Sequence, residues 1–227
     1  MEFWYQFSKL ISESYRHLFI PGLKVEGLEN LIAGPKIIVA NHSYASDVFI
    51  IPSIVKDRLH FLVEEELLAL PFLGKLLNLA DQIPVTIGRG QEALATAYDR
   101  LKKGHTIVIF PEGRLSHSKE VQRARTGAIH LAMESGYPLL PFGIYTPKQY
   151  THSITKQNFG RETVGRWQFG GSSFVAIGEA WPLYEEFKDS AGFRAFRQAA
   201  DELRGRLEKL VKQANELAQK YSIQEIS

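Results

Sequence analysis

The sequence predicts an α/β fold: a largely parallel central sheet flanked by helices, with an N-terminal amphipathic helix and a long C-terminal helix. Three observations predict it. Short, continuously apolar runs alternate with segments of helical periodicity, the pattern of strand–helix–strand units around a parallel sheet. The runs end in polar segments carrying Gly or Pro, which stop strands and helices. The chain has 227 residues, 44% hydrophobic and 23% charged, which suits one domain with a sizeable core and excludes a disordered chain.

The elements follow in order. Residues 2–20 carry Phe3, Trp4, Phe7, Leu10, Ile11, Tyr15, Leu18 and Phe19 at helical spacing, and Pro21 and Gly22 end the helix. Such a stripe serves either of two purposes, packing on the protein's own core or lying in a membrane interface, where aromatic side chains are favoured. Strands are expected at 36–40, 59–63, 83–87, 106–110, 138–145 and 173–178. Helices are expected over Leu67–Leu76, over 91–103 with Gly104 as its stop, over 126–134 with Gly136 as its stop, and from about 190 to 221. The last has the stripe Phe193, Phe196, Leu203, Leu207, Leu210, Ala214 and Leu217. The polar stretch 146–172, with Gly160, Gly165, Gly170 and Gly171, reads as an excursion between strands that can reach over a site. The division expected is residues 1–22 as an amphipathic, membrane-associating helix and 23–227 as one α/β domain.

Bulk properties exclude several function classes. There is no cysteine, so disulfides, thiol catalysis and cysteine-type zinc sites are out. A net charge of +2 lacks the strong basic bias of a nucleic-acid binder, so no nucleic-acid partner is expected. No apolar run reaches the roughly 18 residues that span a bilayer. The N-terminus starts with Glu2 and has charges within its apolar stretch, unlike a signal peptide. No His pair stands at i, i+4 spacing, and His117 and His130 are isolated, so a metal hydrolase is a poor reading and no metal is expected.

Chemistry gathers at strand ends. In VANHSYASD, 39–47, a buried strand delivers Asn41, His42 and Asp47 to the end of an open sheet where ligands bind. If a helix starts after His42, Asp47 can fold back and bond one imidazole nitrogen. The other nitrogen is then free as a general base for an attacking hydroxyl. Alone, the pair reads more readily as a capping Asp and a surface His. In IFPEGRLS, 109–116, Pro111 ends the ladder, Gly113 permits close backbone approach, and Arg114 can hold a phosphate bidentately. Glu112 is either a partner for an Arg or an acceptor for a substrate hydroxyl. In IPVTIGRG, 83–90, Arg89 lies between glycines at a strand-to-helix transition, a candidate anion site. PLLPFGIY, 138–145, is core strand.

In order and spacing these four blocks resemble the glycerolipid acyltransferase family, whose type activity is 1-acylglycerol-3-phosphate acylation. The resemblance runs from about residue 25 to 182 and rests on Asn41-His42-x4-Asp47 and Phe110-Pro111-Glu112-Gly113. VEGLENL, 25–31, and VAIGEAWPL, 175–183, support it. It implies that His42 deprotonates the acceptor hydroxyl and Asp47 orients His42. Asn41, Arg89, Glu112, Gly113 and Arg114 become substrate-binding residues. It implies a thioester donor, acyl-CoA or acyl-carrier protein (acyl-ACP), as cosubstrate with no other cofactor. The acceptor would be lysophosphatidic acid or a related lysophospholipid, and the place of action the cytoplasmic face of a membrane, peripherally bound. Two departures bear on the headgroup. Where the family often has Thr-Arg after Glu-Gly, this chain has Arg114 and Leu115, and Thr86, Ile87 and Gly88 separate Arg89 from IPV. Hydrolysis of a thioester or ester on the same scaffold, and a non-catalytic lipid-binding module, are the rival readings.

Overall fold

The computed structural model describes residues 2–116, 120–158, 161–189 and 192–224. His117 and Gly160 lie outside them, as does the side chain of Phe193. The chain opens with α1 (Glu2–Phe19), β1 (Lys24–Glu26), β2 (Ile37–Ala40), α2 (Asp47–Ile54) and β3 (Leu59–Glu64). It continues with α3 (Glu65–Leu68), α4 (Leu73–Leu79), β4 (Ile83–Val85), α5 (Gly90–Lys102), β5 (Thr106–Ile109) and α6 (Gly127–Ser135). Then come β6 (Leu139–Tyr145), β7 (Thr151–Asn158), β8 (Arg161–Gln168), β9 (Phe174–Ile177), α7 (Leu183–Phe187) and α8 (Phe193–Gln224).

Seven strands form the sheet in the order β1-β9-β6-β2-β5-β3-β4. All pairs are parallel except β6 with β9. Along β2 the side chains alternate between layers. Ile37 and Val39 join a core with α5, α6 and α8, while Ile38 and Ala40 join one with Ile50, Ile51 and Ile20. The continuously apolar run is therefore a strand buried on both faces. Helix α8 crosses β6 closely enough that a Cβ on Gly143 would come within 2.3 Å of the Leu210 backbone, so only glycine fits there.

The expected helix over 67–76 is broken. Pro71 cannot continue α3, and Phe72 turns the chain with φ 63° before α4 restarts. The strand expected at 83–87 stops at Val85. The polar stretch 146–172 holds a two-stranded antiparallel hairpin, β7 with β8, outside the main sheet.

Two connections place the site. From β2 the chain moves across β5 to β3, and from β5 it moves across β2 to β6. The connections from these neighbouring strands thus leave in opposite directions, and the crevice beyond the strands' carboxyl ends is where open α/β sheets take ligands.

The helix α1 is fixed by polar bonds on its inner side. The Tyr5 hydroxyl donates to Asp57 O at 3.1 Å and accepts from Leu59 N at 2.8 Å. The Tyr15 hydroxyl donates to Gln168 O at 2.6 Å, and burial pushes its pKa up to about 12, so it keeps its proton. The apolar stripe faces the other way: Phe3 is 70% and Leu18 72% exposed, with Trp4, Phe7, Leu10 and Ile11 also exposed. Part of the stripe packs on the protein, with Tyr15 stacked on Phe49 and Phe19 half-buried, and part stands open.

Candidate active site

His42 follows β2 and Glu112 follows β5, so the parallel pairing of those strands brings both motifs to one crevice. Asp47 is the first residue of α2, as the return of the chain toward His42 requires. Its Oδ2 faces His42 Nδ1 at 3.2 Å and accepts the backbone N–H groups of Ser43 and Tyr44, each at 2.9 Å. A carboxylate at that nitrogen fixes the Nδ1–H tautomer and leaves the Nε2 lone pair free. Asp47 is fully buried, whereas the His42 side chain keeps 15% of its surface open. The imidazole lies flat on Phe110, ring centroids 3.9 Å apart and planes 13° apart, so its orientation is held by packing as well as by the carboxylate.

Glu112 braces the same loop. Its Oε1 accepts the His42 backbone N–H and its Oε2 that of Gln122, both at 3.0 Å. Ser116 N donates to the His42 carbonyl at 2.7 Å, so the peptide on each side of His42 is clamped to the segment after β5. Burial raises the Glu112 pKa, partly offset by those two N–H groups. Both Glu112 oxygens are thus occupied by backbone, which makes it a positioning residue for His42.

The remaining predicted residues are placed as follows. Asn41 is buried and exchanges two bonds with Ile144 of β6, at 2.9 and 2.7 Å, pinning the end of β2 to its neighbour. Gly113 has φ 69°, and a Cβ there would come within 2.6 Å of the Arg125 guanidinium. Arg114 is exposed on the same turn, and Arg89 is exposed at the start of α5, with no side-chain bond to a described residue. The structure therefore brings His42, Asp47, Glu112 and Gly113 together, turns Asn41 toward β6, and leaves Arg89 and Arg114 on the surface. Sequence reasoning missed Gln122 and Arg125. Gln122 contributes a backbone N–H, which no side-chain pattern reveals; Arg125 sits in the basic run QRAR, a signal that was there to find. Among the described residues no three His, Asp or Glu side chains converge as a metal ion requires.

Comparisons with known proteins agree with this geometry. The family model described as Acyltransferase matches residues 22–145, which include His42, Asp47 and Glu112. A 1-acyl-sn-glycerol-3-phosphate acyltransferase of Saccharomyces cerevisiae is 31% identical over 125 residues, 52% of this chain and 41% of the yeast protein. The protein of that name from Pseudomonas aeruginosa is 33% identical over 135 residues, 55% of this chain and 51% of the relative. The matches thus span about half the length of these curated relatives. The crystal structure of the 1-acyl-sn-glycerophosphate (LPA) acyltransferase PlsC from Thermotoga maritima superimposes with a TM-score of 0.66 at 25% identity. That match covers 94% of this chain and 79% of the other.

Proposed function

The chain belongs to the acyltransferase family, and from that premise we propose that it transfers a fatty acyl group from a thioester donor to the hydroxyl of lysophosphatidic acid or a related lysophospholipid. The observation that carries the reading is the His42–Asp47 pair, with Nδ1 held at 3.2 Å by a buried carboxylate and the side chain 15% exposed. His42 Nε2 takes the proton of the acceptor hydroxyl as that oxygen attacks the thioester carbonyl. The tetrahedral oxyanion collapses, the carbon–sulfur bond breaks, and the departing thiolate takes the proton back from His42. Asp47 stabilises the imidazolium between the two transfers. The donor is acyl-CoA or acyl-ACP; the relatives' names specify the acceptor and support that half of the assignment.

Docking on a lipid surface is part of the same proposal. Besides the exposed stripe residues of α1, two further apolar side chains stand almost free, Phe72 at 91% and Ile87 at 92% exposed. Exposed apolar surface on this scale marks an interaction face, and aromatic residues suit the headgroup region. Among the described residues no helix is long and apolar enough to cross a membrane.

The test is incubation of the protein with palmitoyl-coenzyme A and a panel of lysophospholipids including lysophosphatidic acid, with products identified by mass spectrometry. Acylated lipid that disappears in His42→Ala is the expected result. Free fatty acid without acylated lipid, at any headgroup, overturns the assignment.

A further inference from the structure

Beyond the His42 loop the hairpin β7–β8 carries a cation that the mechanism above does not use. Antiparallel pairing puts Thr151 with Gln168, Ser153 with Arg166 and Thr155 with Val164 on one face. The other face carries Trp167, which packs against Tyr15 and Phe49. The backbone of β8 is bonded along the catalytic loop: Ala45 N donates to Arg166 O at 2.7 Å, and Gln168 N to Ser46 Oγ at 3.2 Å. Arg166 is thereby fixed beside residues 44–46, directly between His42 and Asp47 in sequence. Its guanidinium carbon lies 5.4 Å from the centre of the Tyr44 ring. Tyr44 N in turn bonds the Asp47 oxygen that faces His42.

The guanidinium is unusual for what it lacks. Arg58, Arg100 and Arg166 each have side-chain nitrogen atoms shielded from water with no acceptor. Arg58 still reaches Glu2, and Arg100 reaches Asp81, each at 2.7 Å through another nitrogen. Arg166, with both Nε and Nη2 shielded, has no carboxylate or carbonyl partner among the described residues. Neither nearby carboxylate is bonded to it: Asp47 turns Oδ2 to His42, Ser43 and Tyr44 and leaves Oδ1 buried without a partner, and Glu112 serves His42 and Gln122. Burial holds the Tyr44 hydroxyl neutral, so the ring offers a face but no counter-charge. A half-shielded cation without an acceptor is costly, and its fork matches two oxygens of a phosphate.

We infer that Arg166 is a substrate-binding residue, receiving a phosphate oxyanion of a bound substrate on the hairpin side of His42. The inference rests on the acyltransferase reading, and two substrates of that reaction carry such a group: the acceptor lipid and the donor, through its phosphopantetheine arm.

The experiment measures equilibrium binding of coenzyme A, and separately of a short-chain lysophosphatidic acid below its micelle concentration, to the full chain and to Arg166→Gln and Arg166→Lys. Kinetic constants for both substrates accompany them. The expected result is a roughly ten- to hundred-fold weaker affinity of Arg166→Gln for one of the two ligands, as for loss of a charge-assisted bond. The other ligand and kcat stay near the parent values, and Arg166→Lys recovers part of the loss. The ligand affected names the source of the phosphate. Unchanged binding of both ligands overturns the inference. So does a joint loss of both affinities and kcat, which would make Arg166 a brace for the loop. Failure of the parent chain to bind either ligand removes the acyltransferase reading and this site with it.

Discussion

His42 and His60 are the same residue type at two strands of one sheet that flank β5, and the structure uses them in opposite ways. His42 stands past the carboxyl end of β2 with one nitrogen held by Asp47 and part of its ring open. His60 stands at the amino end of β3, fully buried, with both nitrogens engaged. Nδ1 meets Asp81 O at 2.7 Å, and Nε2 meets His105 Nδ1 at 2.9 Å. His105 precedes β5, the strand whose other end leads to Glu112. An imidazole becomes a base only if one nitrogen is fixed and the other is unspent. One end of the sheet therefore holds a reagent and the other a knot.

The largest effect that separates the two ends is loss of the base. His42→Ala should lower turnover by about a thousandfold or more, within the range of a positioned general base. Its melting temperature should stay close to the parent's, since His42 is not a core residue. Near-normal turnover would show that the proton leaves by another route. Asp47→Asn comes next, with a loss of roughly a hundred- to ten-thousandfold in kcat, as expected when the tautomer is no longer fixed. Asn at this position also turns an amide toward Ser43 N or Tyr44 N, so a modest fall in stability should accompany it. A kcat loss of less than about fivefold would leave Asp47 as a loop brace and nothing more.

His60→Ala should invert that pattern. Removal of a buried, doubly bonded ring should cost about 2–4 kcal/mol of stability, while kcat per folded molecule is retained. Burial depresses the pKa of both His60 and His105. A depressed histidine binds fewer protons folded than unfolded. Stability from this pair is thus present above the ordinary histidine pKa of about 6.5 and falls as pH drops below it. Urea titrations of the parent between about pH 7 and 5 should show that decline, and the His60→Ala variant should show less of it. Identical slopes would mean that the pair is protonated in the native state.

What the sequence disclosed follows the same division. The strands of the sheet were legible because burial on both faces writes a local signal, a continuous apolar run such as IIVA or TIVI. The motifs at their carboxyl ends were legible because a strand and its following turn are contiguous in the chain. The hairpin β7–β8 was not: its described side chains are largely polar and lie outside the main sheet, so no alternating apolar pattern marks it. Its contacts to the catalytic loop join residues some 120 positions apart, such as the backbone bond from Ala45 N to Arg166 O. The antiparallel entry of β9 was likewise invisible, since SFVAIG reads the same in either direction. The His60–His105 pair was missed because a buried histidine declares itself only through the partners the fold brings to it. Glu112 was located by its motif, but its task of receiving two backbone N–H groups depends on Gln122, which only the fold places there.

Glu112 supplies the smallest effect and the sharpest contrast. Its pKa is raised by burial, so the folded state takes up a proton more readily than the unfolded chain. The associated stability is present below the ordinary glutamate value and is lost as pH rises through the raised one, opposite in sign to the histidine pair. Glu112→Gln keeps the shape and one acceptor oxygen. It places an amide against one of the two N–H groups and removes the buried charge. At neutral pH the two changes offset, so stability should shift by less than about 1 kcal/mol, while kcat falls by about tenfold because the peptide before His42 loses its brace. Urea titrations between about pH 4 and 7 should then lose the carboxylate component and leave the histidine decline exposed. If the Gln variant retains the parent's slope across the acid half of that range, the raised group is not Glu112. If its kcat is also unchanged, the brace between the ends of β2 and β5 is ornamental to the chemistry, and the orientation of His42 rests on Asp47 and Phe110 alone.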